Sequence, residues 1–141
     1  MKPILHALLF VYALFAGITS ASDATKAVSK QTAIKEISVT EVKHFVDTKA
    51  QNVAVLDANN SEARKDAGVV PGAILLTSYN QYAVSELPKD KSTTLVFYCY
   101  NSYCQASHAA AQRAIDADYK DVKVMKAGIE GWNREAVKRK I

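Results

Sequence analysis

The feature that most constrains this 141-residue chain is the stretch from Thr94 to Ala111, TLVFYCYNSYCQASHAAA. An apolar run halts there at a cysteine, a short polar loop intervenes, and an alanine-rich helix begins. Thr94, Leu95, Val96, Phe97 and Tyr98 are β-branched, aliphatic or aromatic without alternation, the pattern of a strand buried on both faces of a sheet. Such a strand delivers Cys99 to the carboxyl edge of the sheet, where open α/β sheets hold their ligands. The helix that follows, starting near Gln105, aims its amino terminus back at the same place. Unpaired backbone N–H groups and the positive end of a helix favour a thiolate over a thiol. A buried cysteine is ordinarily inert; the loop geometry and a second thiol, Cys104, set Cys99 apart.

The remainder of the chain supports that unit. Residues 1–21 combine Lys2 with an apolar run from Ile4 to Ile18 and then the small residues Thr19, Ser20 and Ala21, which is the form of a signal peptide cleaved after Ala21 or, as a second choice, after Ala24. The alternative is an uncleaved anchor, but the run is shorter than the roughly 20 residues a spanning helix needs. Residues 22–35 are polar and aperiodic, the expected flexible linker. Residues 36–141 then make one domain, long enough for one core and not for two.

Within that domain Ser38 or Thr40 is expected to cap a short helix carrying Val42, Phe45 and Val46, with His44 at the surface. Val53–Leu56 reads as a buried strand ending at Asp57 and the turn formers that follow it. A short helix capped by Asn60 or Ser61 ends at Gly68. Val69–Ala73 turns into a third apolar run, Ile74–Leu76, and Tyr79–Leu87 is a weakly helical connector. After the Cys99 strand come a helix over 106–117, a strand over Val122–Met125, and a last helix over 129–138. Strands alternating with helices mean βαβ units and a five-stranded, mainly parallel sheet with helices on both faces.

Composition narrows the function. Eighteen basic against 14 acidic side chains give a net charge of +4, with no block of like charge before Lys138, Arg139 and Lys140. Such a tail reads as a solvated helix end, so nucleic acid is not an expected partner. Two cysteines in an exported chain invite a disulfide, yet a bridge between Cys99 and Cys104 closes a tiny loop and contributes little through chain entropy. Pairing of those thiols therefore points to redox chemistry.

Three segments taken together, LDANNSEARKDAGVVPGAILL, LVFYCYNSYC and KAGIEGW, resemble the rhodanese-like domain, a family of sulfurtransferases. The resemblance spans about Ile37 to Trp132. It implies an Asp after the second strand, matched by Asp57, and a Gly-X-X-Pro-Gly-Ala turn, matched by Gly68, Pro71, Gly72 and Ala73. It implies a nucleophilic cysteine at the end of the fourth strand, matched by Cys99, and a Gly-X-X-Gly-Trp segment, matched by Gly128, Gly131 and Trp132. The chain departs from the pattern at four places: Asn59 stands where an Arg is usual, Val69 where His is frequent, Ser102 where the loop commonly has Gly, and Cys104 at the loop's end. The loop holds six residues if it ends at Cys104 and seven if it ends at Gln105.

The chemistry follows from the residues as well. A Cys99 thiolate ringed by N–H groups can attack the outer sulfur of thiosulfate or of a persulfide, releasing sulfite or a thiol and leaving a Cys99 persulfide. A thiol or cyanide then accepts the sulfur. Tyr100, Asn101, Ser102, Tyr103 and Gln105 form the active-site loop, with Asp57 and His108 as candidate auxiliaries. Cys104 has three readings: a loop-end residue, a resolving thiol that closes a disulfide, or a metal ligand shared with Cys99. The last lacks the further ligands that zinc requires, so no metal and no cofactor are expected. Partners are a small sulfur donor, a thiol acceptor and, if the pair cycles, a redox protein. A membrane is not expected once the leader is gone, and export to the periplasm is expected.

Three rival classes stand beside the sulfurtransferase. A phosphatase of related fold needs a loop-end Arg for bidentate binding of a dianion, and Gln105 stands there instead. A non-catalytic binding module would not need Cys99. A thiol oxidoreductase using the Cys99 and Cys104 pair is the principal alternative. The leader generates its own test: amino-terminal sequencing of the exported protein should begin at Ser22, whereas Met1 retained in a membrane fraction would identify an anchor.

Overall fold

The computed structural model describes residues 33–138; the leader and all but the last three residues of the expected linker lie outside them. The element order is β1 (Lys35–Glu36), α1 (Val39–Asp47), β2 (Val53–Asp57), α2 (Ser61–Ala67), β3 (Ile74–Leu75), a 3-10 turn (Val84–Glu86), β4 (Thr94–Tyr98), α3 (Ala106–Asp116), β5 (Val122–Val124) and α4 (Gly128–Lys138). The strands form one sheet in the order β1-β5-β4-β2-β3, and every neighbouring pair is parallel. The first strand begins at Lys35, inside the segment expected to be linker, and uses β5 as its partner. The connector expected to be weakly helical keeps only the 3-10 turn.

Local chemistry explains the helix ends. Ser38 caps α1: its hydroxyl accepts from the Glu41 N–H at 3.2 Å, while the Ser38 N–H donates to the Glu41 carboxylate at 3.0 Å, a reciprocal capping box. Asn60 caps α2 through a 2.8 Å bond accepted from the Ala63 N–H.

Strand β4 is the centre of the sheet, and Leu95, Val96, Phe97 and Tyr98 are all fully buried. Their side chains alternate between two cores. Leu95 and Phe97 meet Ala110, Ala111 and Ala114 of α3 on one face; Val96 and Tyr98 meet Val39 and Val42 of α1 and Ile129 and Trp132 of α4 on the other. The three alanines let α3 lie close to the sheet. On the second face Lys43, nine-tenths buried, holds its ammonium 4.5 Å above the Trp132 ring, covering the core with its aliphatic stem while the charge meets the ring's electron-rich face.

The two crossovers beside β4 run in opposite directions. Strand β2 leads through α2, whose Ala67 packs on the second core, to β3 at one edge. Strand β4 leads through α3, on the first core, towards β5 on the other side. The crevice outside the carboxyl ends of β2 and β4 is therefore the topological switch point, the place where parallel sheets bind ligands.

A buried polar network ties β2, α2 and β4 below that crevice. The Asp57 carboxylate, fully buried, accepts from the Tyr98 hydroxyl at 2.9 Å and from the Asn59 N–H at 2.7 Å, with the Arg64 guanidinium 3.4 Å away. Arg64 also donates to the carbonyls of Asp57 and Leu76 at 3.0 and 2.9 Å, and the Tyr98 hydroxyl accepts from the Val70 N–H at 3.0 Å. Burial pushes the Tyr98 phenol well above its usual range, so it stays a donor. Tyr98→Phe would strip the Val70 N–H and the Asp57 carboxylate of a partner at once, and denaturant unfolding should show a loss of about 1–3 kcal/mol. An unchanged midpoint would mean that the network does not stabilise the fold.

Candidate active site

Cys99 is the first residue past β4, and it is 1% exposed. Its side chain belongs to the core shared with α3. The loop from Tyr100 to Gln105 separates it from the first turn of α3, whose N-cap is Gln105. Gln105 gives no side-chain cap, so the first N–H groups of the helix are left for another acceptor. With α3 starting at Ala106 and the exposed Gln105 as its N-cap, the loop counted from Cys99 holds seven residues and ends at Gln105.

Cys99 and Cys104 are joined as a disulfide, with their α-carbons 6.3 Å apart, inside the usual span for such a bridge. The Ser107 hydroxyl lies 3.3 Å from the Cys99 sulfur, and the carbonyl oxygen of Cys104 lies at the same distance. Ser107 is 1% exposed. It can donate to the sulfur when that atom is a thiolate, and the Cys104 carbonyl can accept from the thiol. Ser107 carries no motif of its own, although its place is legible in the sequence: Ser107, Ala110, Ala111 and Ala114 follow the i, i+3, i+4, i+7 spacing of the helix face on the sheet.

The loop is held from two sides. The N–H groups of Ile129 and Glu130, at the start of α4, donate to the carbonyls of Cys99 and Tyr100 at 2.9 and 3.0 Å. Gly128 makes this approach possible: it sits at φ +64°, and a Cβ there would lie 2.5 Å from the Tyr100 carbonyl carbon and 2.7 Å from the Asn101 nitrogen. From the other side the Tyr100 hydroxyl donates to the Asp66 carboxylate of α2 at 2.6 Å, and that bond raises its pKa. Within the loop the Asn101 side chain accepts from the Tyr103 N–H at 3.1 Å, and its carbonyl accepts from the Cys104 N–H at 3.1 Å. Ser102 and Gln105 are exposed, and Tyr103 stands out into solvent at 89% exposure beside the half-buried Cys104.

The candidate auxiliaries are not gathered at the sulfurs. Asp57 is used by the network around Tyr98, on the sheet face opposite Cys99. His108 is half-buried in the first turn of α3 and makes no hydrogen bond to either cysteine; its Nδ1 is buried without a partner. Asn59, next to the switch point, is 8% exposed and leaves its Nδ2 without a partner. Arg113, the first arginine after the loop, is committed elsewhere. It donates to the Tyr82 carbonyl at 2.8 Å and lies 5.4 Å from the Tyr82 ring centre, so the loop has no guanidinium to offer a phosphate. Among the described residues no group of His, Cys, Asp and Glu has the arrangement of a metal site.

The clamp on the loop has a measurable consequence. Gly128→Ala forces the α4 amino end away from Tyr100 and strains a left-handed backbone. It should lower stability by about 1–3 kcal/mol and slow alkylation of reduced Cys99 relative to the wild type. Wild-type stability in that variant would show that the loop tolerates displacement.

Comparison with known proteins agrees with this geometry. The model of the rhodanese-like domain matches residues 38–135. Among solved structures, a Bacillus halodurans protein superposes with a TM-score of 0.64 at 22% identity over 72% of this chain and 73% of its own. The human single-domain sulfurtransferase TSTD1 does so at 0.56 and 18% identity, over 71% of this chain and 96% of its own. A Rhodopseudomonas palustris protein named as a possible tyrosine phosphatase gives 0.60 at 19% identity, over 73% and 82%. At such identities these likenesses speak for the fold alone, whereas the family match spans more than half of the chain. With its parallel sheet and its cysteine at the switch point, the chain belongs to the rhodanese-like domain family.

Proposed function

We propose that the protein is a sulfurtransferase in which reduced Cys99 takes the outer sulfur of thiosulfate or of a persulfide and passes it to a thiol or to cyanide. The observation that carries this reading is the setting of the Cys99 sulfur. It is at the carboxyl end of a buried strand, 3.3 Å from the Ser107 hydroxyl, before a helix whose first turn lacks a side-chain cap. Charge on a thiolate, and then on the terminal sulfur of a persulfide, is what such donors stabilise. Thiosulfate loses its outer sulfur to Cys99, sulfite departs with the bonding pair, and the acceptor attacks the same outer sulfur and restores the thiolate.

A phosphatase is disfavoured by the absence of an arginine in the loop. A second reading, a thiol redox protein, is favoured by one observation, the Cys99–Cys104 disulfide. In that oxidised form Cys99 is not a thiolate and cannot attack a sulfur donor, so transfer requires prior reduction. Export to an oxidising compartment, expected from residues 1–21, accords with such a pair and remains part of the proposal. The physiological partners under this reading are a sulfur donor, a thiol acceptor and a reductant.

Cys99→Ser should abolish sulfur transfer from thiosulfate to cyanide and leave the fold intact, because the change is nearly isosteric. Intact mass in the first moments after the reduced wild type meets thiosulfate should rise by one sulfur atom. Undiminished transfer by the variant would overturn the assignment. Ser107→Ala should slow the transfer roughly ten- to hundredfold through loss of one hydrogen bond to charged sulfur, worth about 1.5–3 kcal/mol, without loss of folding.

A further inference from the structure

Resting on that reading of Cys99, we propose that Cys104 resolves the Cys99 persulfide, so that the domain releases the carried sulfur as hydrosulfide and closes its own disulfide. Three observations converge. The two sulfurs reach bonding contact within the folded domain, with α-carbons 6.3 Å apart, so the Cys104 sulfur has access to the inner sulfur of a persulfide on Cys99. The loop between them is fastened at its base by α4 and at Tyr100 by Asp66, which keeps the two cysteines as neighbours and makes their encounter intramolecular. The exposures differ: Cys99 is 1% exposed, while Cys104 is half-buried and follows the outstanding Tyr103.

The step balances without an outside oxidant. The Cys104 thiolate attacks the inner sulfur, the bond from Cys99 to Cys104 forms, and the bond to the outer sulfur breaks. That outer sulfur leaves with the electron pair and its proton as hydrosulfide. The outer sulfur is reduced and Cys104 is oxidised by the same two electrons. Attack on the outer sulfur instead would only move the persulfide from one cysteine to the other. To turn over, the disulfide needs a dithiol reductant, which reopens it and is oxidised to its own disulfide. The reductant enters at Cys104, because access decides which sulfur an incoming thiolate attacks, and Cys99 departs as the thiolate that its surroundings stabilise.

The test uses full-length reduced protein, freed of small thiols and kept without oxygen, mixed with thiosulfate; sulfide, and intact and peptide masses, are followed in time. The wild type should release up to one sulfide per protein and end as the Cys99–Cys104 disulfide. Cys104→Ser, with Cys104→Ala as a second variant should the first fold poorly, should hold the added sulfur on Cys99 and release none. A wild-type persulfide that persists as long as the variant's, with no sulfide, overturns the resolving role while leaving sulfur transfer standing. Failure of every form to take up sulfur overturns both. A separate arm treats the single-cysteine proteins with oxidised glutathione: Cys104 in Cys99→Ser should form the mixed disulfide at least tenfold faster than Cys99 in Cys104→Ser. Equal rates would overturn entry at Cys104.

Discussion

Two backbone hydrogen bonds, from Ile129 to the Cys99 carbonyl and from Glu130 to the Tyr100 carbonyl, hold together the parts of this protein that matter for its chemistry. They use the first N–H groups of α4, which have no partner inside their own helix. They also satisfy carbonyls that a strand loses when it runs past the end of its sheet. Neither bond is available unless the two backbones touch, and only a residue without a Cβ permits that at position 128. A second glycine, Gly131, is needed one turn further on because a Cβ there would collide with that of Ala127. The loop's position thus depends on an element that starts 29 residues after Cys99.

The sheet beneath is divided in purpose. On the α3 side it is packed with small and apolar groups, and the cysteine belongs to that side. On the other side a buried carboxylate, a guanidinium and a phenol make a closed network. Removing a single member of such a network leaves a polar group unpaired in a medium of low dielectric, so its members act as a unit. Asp57 is best understood there. Its carboxylate orients Tyr98 and Arg64 and so fixes the mutual positions of β2, α2 and β4, the elements that bound the switch point. It influences the site through the scaffold.

At the site itself the disulfide and the proposed sulfur transfer both need the Cys99 sulfur. A nucleophile that carries sulfur must be free, and a buried one is protected from bulky oxidants but not from a neighbour five residues away. With no arginine in the loop for bidentate binding of a phosphate, the hydrogen-bond donors left beside Cys99 are the Ser107 hydroxyl and backbone N–H groups. Under the proposed function, the outcome for a sulfur on Cys99 rests on which thiol reaches it first, an outside acceptor or Cys104.

Much of this was legible in the chain alone. Apolar runs without alternation marked β2 and β4 as buried on both faces, and the spacing of the Pro-Gly turn, the cysteine and the Gly-X-X-Gly-Trp segment identified the family resemblance. These are local patterns, and local patterns report burial and backbone conformation. The two-residue strand β1 was not legible, since Lys35 and Glu36 pair with β5 through backbone groups that any residues supply. The burial of Lys43 was hidden too, because its stem is covered only once Trp132 arrives from the far end of the chain. The roles of Asp57, Arg113 and the two cysteines were decided by tertiary structure for the same reason. A titratable or nucleophilic side chain takes its function from whatever lies within about 4 Å of it, and distances of that kind between Asp57 and Tyr98, Arg113 and Tyr82, or Cys99 and Ser107 exist only after the sheet has brought separate segments together.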